Sequence, residues 1–118
     1  MPIDIEISED DSIITYSYIG SDLFILKFDG TKYQITQNVA GRFYDSDLTR
    51  DGKWLVGISN DGKIPIFKYN EESGLFDIFQ TIYKENTNSC GVVITEDHQR
   101  IMFLTRNNET FIYKFNGT

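Results

Sequence analysis

Apolar and polar positions alternate from the first residues of the chain, where Ile3, Ile5 and Ile7 enclose Asp4 and Glu6. That period of two is the signature of a strand with one covered face. β-branched and aromatic residues crowd the other periodic runs, and no window keeps an apolar period of 3.6 over three turns. The predicted elements are therefore strands. A first set, a, is expected at Ile3–Ser8, Phe43–Thr49 and Ser89–Thr95. A second, b, falls at Ser12–Tyr18, Lys53–Ser59 and Gln99–Thr105. A third, c, falls at Asp22–Phe28, Lys63–Tyr69 and Glu109–Phe115. A fourth, d, occurs twice, near Lys32–Gln37 and Leu75–Ile82.

The breaks between runs are turn chemistry. Glu9-Asp10-Asp11, Arg50-Asp51-Gly52 and Glu96-Asp97-His98 separate a from b. Asp and Gly suit such turns through side-chain capping and access to positive φ. Asn60-Asp61-Gly62, between two apolar runs, is a strong hairpin signal. Pro65 stands inside strand c and donates no ladder bond, so a local irregularity is expected there.

The segments repeat. Asp10–Thr31 aligns without a gap on Asp51–Glu72, an offset of 41, and Asp51–Glu72 on Asp97–Thr118, an offset of 46. A period of roughly 40–45 residues built of short strands reads as propeller blades. The expected fold is all-β, with about three blades of four-stranded antiparallel sheet. The chain reads as one propeller segment, 1–118, with units at 3–41, 42–87 and 88–118. Closed rings use roughly 4–8 blades. The expectation is therefore a partial ring or one closed by other copies. The third unit stops at Asn116–Thr118, where the first continues into Lys32, which suggests truncation or completion by another chain.

Composition narrows the function. The net charge is −7, with Lys and Arg scattered singly. A nucleic-acid binder needs a basic stripe for its phosphate contacts, so none is expected as partner. Cys90 is the only cysteine and forms no internal disulfide. It is expected to act as a small buried apolar residue. No apolar run approaches the ~20 residues of a membrane span, and no signal peptide is recognisable. The expected location is the cytoplasm, without membrane attachment.

The run Leu48-Thr-Arg-Asp-Gly-Lys-Trp-Leu-Val-Gly-Ile-Ser-Asn-Asp-Gly-Lys-Ile-Pro-Ile-Phe67 resembles the WD40 family of β-propellers. Its Trp-Asp pair is absent. Leu26-Lys27, Phe67-Lys68 and Tyr113-Lys114 stand there instead, and only Asp61 matches the family's b–c turn aspartate. A second segment, Asn70-Glu-Glu-Ser-Gly-Leu-Phe76 after Asp51-Gly-Lys-Trp-Leu-Val56, is similar to lactonase-type seven-bladed propellers, some of which hydrolyse a sugar lactone. It carries no catalytic residue that transfers. The WD40 resemblance implies a partner face made by Gly20-Ser21, Asn38–Arg42, Asn60-Asp61, Tyr83–Asn88 and Arg106–Asn108. Arg42, Tyr44, Tyr83 and Arg106 are its candidate anchors.

Candidate chemistry is sparse. His98, the single histidine, occupies a turn and is expected to be exposed. Glu9-Asp10-Asp11 is expected to be a solvated turn. Asp4, Glu6, Asp45 and Asp47 recur on strand a, nearest the axis in a propeller, but plain alternation explains them. Trp54 is expected to be structural. No nucleophile elbow, phosphate loop or metal-ligand spacing occurs. The leading expectation is a non-catalytic scaffold binding protein or peptide partners, with no cofactor and no metal. The alternatives are a fragment or relative of a lactonase-like hydrolase, and a module that completes a ring with other copies.

Overall fold

The structure is a computed structural model that describes residues 3–83, 89–105 and 108–115. These residues form ten strands and no helix: β1 (Ile3–Ile7), β2 (Ile13–Tyr18), β3 (Ser21–Phe28), β4 (Tyr33–Leu48), β5 (Trp54–Ser59), β6 (Lys63–Asn70), β7 (Leu75–Tyr83), β8 (Ser89–Ile94), β9 (Arg100–Thr105) and β10 (Thr110–Lys114). All neighbours are antiparallel. β1 to β7 form one sheet in chain order, and β8, β9 and β10 form a second. Arg106 and the side chain of Cys90 lie outside the described residues, as does most of the Tyr83–Asn88 loop.

β4 belongs to two blades. Its first half pairs with β3, from Phe28↔Tyr33 to Leu23↔Val39, and its second half pairs with β5, from Phe43↔Ser59 to Leu48↔Leu55. Two separate strands were expected here. Asn38-Val-Ala-Gly-Arg42 contains no turn pair, so the backbone runs on. Register shifts at Ser21/Leu23 and Phe43/Asp45 take up the change of direction. Blade 1 is thus β1, β2, β3 and the first half of β4. Blade 2 is the second half of β4 with β5, β6 and β7. Blade 3 holds β8, β9 and β10. The arrangement is a three-blade arc of a β-propeller.

Burial explains the sequence pattern. Ile13, Leu23 and Ile25 of blade 1 meet Phe43, Leu55 and Phe67 of blade 2. Trp54, Val56, Ile58 and Ile66 on the other face of blade 2 meet Ile94, Ile101 and Phe103 of blade 3. Blade 2 is covered on both sides, so every residue of β5 is buried. β2 and β9 are covered on one side, and their burial alternates. Trp54 is a core residue, 2% exposed, with Phe79 and Phe115 edge-on to its ring at 5.0 and 5.5 Å. At Pro65 the β5–β6 ladder stops one pair earlier, at Val56↔Ile66, and a bulge follows at Ile66/Phe67.

The three a–b turns share one device. A hydroxyl two residues before an aspartate bonds its carboxylate: Ser8 to Asp10 at 2.8 Å, Thr49 to Asp51 at 2.7 Å, and Thr95 to Asp97 at 2.5 Å. The same carboxylate caps a backbone N–H two residues on, at Ser12, Lys53 and Gln99. The next residue takes positive φ, at Asp11, Gly52 and His98.

Candidate functional site

The inner strands of the arc are β1, the second half of β4, and β8. Ser8 N–H donates to Ile13 O, and the antiparallel register then pairs Glu6 with Thr15 and Asp4 with Ser17. The N–H groups of Ile5 and Ile7 consequently point away from β2, towards the axis. The same alternation turns the N–H groups of Ser46, Val92 and Ile94 inward. Carboxylates of the preceding blade cap them. Asp4 Oδ2 accepts from Ser46 N at 3.0 Å and from Ser46 Oγ at 2.7 Å. Asp45 Oδ2 accepts from Val92 N at 3.0 Å, and Asp47 Oδ2 from Ile94 N at 2.9 Å. One blade thus latches the next.

This concentrates four acids at the inner edge. Burial, then the charges of Asp4, Asp47 and Asp45, push Glu6 up to about 7. Burial likewise raises Asp45 to about 6, against the hydrogen bond from Val92. Asp47 is raised by burial, with the Ile94 N–H opposing. Beside them the hydroxyls of Thr15 and Ser17, opposite Glu6 and Asp4 on the same sheet face, are buried without a hydrogen-bond partner. Among the described residues no three His, Cys, Asp or Glu groups come together as a metal site. Two carboxyls held near neutrality at one edge are equipped to exchange protons with a bound molecule.

Alternation on β1 is real, but its apolar side is the open one: Ile5 and Ile7 are exposed while the acids turn inward. The repeat carries the signal beyond alternation, since an offset of 41 sets Asp4 on Asp45 and Glu6 on Asp47. The acidic turn is solvated as expected, and hydrogen bonds from Ser12 and Ser8 lower Asp10 to about 2. His98 departs from expectation. Its side chain is 27% exposed, with Nε2 3.0 Å from Asp51 Oδ2 and its ring 5.7 Å from Trp54. The positive φ of its turn swings it onto blade 2.

Of the candidate anchors, Arg42 is exposed, and its carbonyl accepts from Asn60 N at 2.9 Å. Tyr83 is 60% exposed and pairs across the ladder with Lys63, at the same end of blade 2. Tyr44 sits in the bulge of β4 and packs against the core between blades 2 and 3. Arg106 is outside the described residues.

No family model and no curated protein matches the chain. Solved structures do match it. A candidate 6-phosphogluconolactonase of Bacteroides fragilis superimposes with a TM-score of 0.76 at 18% identity, over 95% of this chain and 34% of that one. A candidate 6-phosphogluconolactonase of Bacteroides uniformis gives 0.74 at 15% identity, over 97% and 37%. The chain therefore spans about a third of the length of these neighbours, and the likeness is one of fold. It corrects one expectation: a non-catalytic chain is expected from the sequence, yet both neighbours that share the fold carry the name of an enzyme. No helix among the described residues is long and apolar enough to cross a membrane.

Proposed function

We propose that this chain is a three-blade segment of a hydrolase-like propeller acting on a cyclic ester of the sugar-lactone type. The observation that carries the proposal is the superposition of 95% of the chain on a protein named for lactone hydrolysis. The inner-edge carboxyls supply a matching chemistry. Ionised Asp45 takes a proton from water as the water oxygen bonds to the acyl carbon. The ring C–O bond then breaks, and protonated Glu6 gives its proton to the departing ring oxygen. The WD40-like reading of the repeat rests on the turn at Asp61 and the a-to-c run around it.

The test is hydrolysis of glucono-δ-lactone and its 6-phosphate by the intact protein that carries this chain, against spontaneous opening in the same buffer. Acceleration by wild type, with a loss of about 10²-fold or more in Asp45→Asn, supports the assignment. Acceleration equal in wild type, Asp45→Asn and Glu6→Gln removes these residues from the chemistry. No acceleration of either lactone removes the activity.

A further inference from the structure

A cleft of about 560 Å³ opens between blades 1 and 2, and none of the four inner-edge acids lines it. That volume lies within the roughly 300–1,000 Å³ range of small-molecule sites. Phe43, Phe67, Val39 and Pro65 line it, with Arg42 at its rim. Its shape is built in. A Cβ added at Gly41 or Gly57 would meet the Phe43 ring at 2.8 or 2.7 Å, so both glycines are needed to seat that ring beneath the cleft.

Charge selects the occupant. Asp61, the acid in the cleft wall, is engaged in its own turn by Ser59 Oγ and Lys63 N, with Lys63 Nζ 3.8 Å away. The Ser59 hydroxyl, followed by the Lys63 contacts, holds its carboxyl below the usual range. Arg42 has no acidic partner among the described residues. Its backbone is fixed on both sides, by Asn60 N–H to its own carbonyl at 2.9 Å and Gly20 N–H to Phe43 O at 2.8 Å. Gly41 N–H is held by Asp22 Oδ1 at 3.1 Å. An exposed guanidinium on a fixed stretch of backbone, at the rim of an apolar cleft, suits a carboxylate on an apolar body, because its fork matches both oxygens.

We propose that this cleft binds a small amphipathic monoanion, an aromatic carboxylate, with its ring on Val39 and Ile78, apolar lining residues that keep exposed surface, and its carboxylate on Arg42. The site is independent of the hydrolytic reading, since none of the four inner-edge acids lines it.

The test is titration of the ¹⁵N-labelled intact protein that carries this chain with naphthalene-2-carboxylate and, separately, with the uncharged naphthalene-2-carboxamide, read by amide shifts. Shifts confined to Gly41, Gly57, Gly62 and Thr81, with the amide about 10-fold weaker, are expected, tenfold being about 1.4 kcal/mol. Arg42→Gln should bring the carboxylate down to the level of the amide, and Arg42→Lys should fall between. The spread of amide signals shows in the same spectra that each variant is folded. Equal binding of the two compounds, shifts outside the cleft, no shift in millimolar ligand, or an unaffected Arg42→Gln would overturn the proposal.

Discussion

At the scale of single residues, two small positions decide large contacts. Gly57 sits inside a buried strand, where glycine ordinarily weakens the element. Substitution by alanine looks favourable from strand propensity alone. The Phe43 ring forbids it, because the new Cβ would stand 2.7 Å from a ring carbon. Gly57→Ala is therefore expected to destabilise by about 1–3 kcal/mol, seen as a lower urea midpoint. Thr49 is the second case. It is fully buried, donates to Asp51, and accepts from Trp54 N at 3.1 Å. Thr49→Ala leaves the Trp54 N–H unpaired in the core, a loss of about 1–3 kcal/mol in the same measurement. Thr49→Ser keeps the hydroxyl and should recover most of it. The hydroxyl-x-aspartate spacing behind this contact occurs four times in the sequence, starting at Ser8, Thr49, Ser59 and Thr95. Only the turn residues are legible there, because the role of the hydroxyl depends on a fold that buries it.

At the scale of elements, the inner strands couple blade packing to pH. Glu6 and Asp45 titrate higher in the folded chain than when exposed, Glu6 moving from 4.5 to about 7 and Asp45 from 3.8 to about 6. The folded state then binds more protons across that window than the unfolded one. Stability from these groups is complete below pH ~4 and is lost as the pH rises towards 7. The turn aspartates act oppositely, since Asp10 at about 2 contributes stability that is lost only in stronger acid. The urea midpoint should rise when the pH falls from 7.5 to 5, and Glu6→Gln should flatten that rise. A midpoint that instead falls over this range would refute the buried-acid account. Strand positions were legible in the alternation and in the turn residues. The union of two strands as β4 was not, because a bulge is set by cross-strand register and leaves no residue signature at Asn38–Arg42. Nor was the inward turn of the acids, since alternation names two faces without saying which is covered.

At the scale of the whole molecule, the described residues form a slab of 44 × 35 × 20 Å with apolar faces at both ends. On blade 1, Ile7, Ile14, Leu26 and Ile35 form one continuous row across four strands, and Ile5, Tyr16 and Phe24 form the next. On blade 3, Val93, Met102 and Ile112 line up. Ile5 is 59% exposed and Ile112 64%. In the interior of the arc such faces are buried against the next blade. Alone in solution the chain should self-associate, with its scattering mass rising with concentration. A lysine at Ile35 or Ile112 should lower that mass at equal concentration, and a constant monomer mass in wild type would count against open end faces.

The lactonase-type reading makes the sharpest demand, because it ties an activity to two carboxyls. The direct measurement is the pH profile of lactone hydrolysis by the intact protein, corrected for spontaneous opening. With Asp45 ionised as base and Glu6 protonated as acid, the rate should be bell-shaped, its limbs near the values of about 6 and about 7 that the site sets. Glu6→Gln should remove the alkaline limb and lower the maximum. A profile that follows the buffer blank at every pH, or a bell unchanged by Glu6→Gln, would contradict the account.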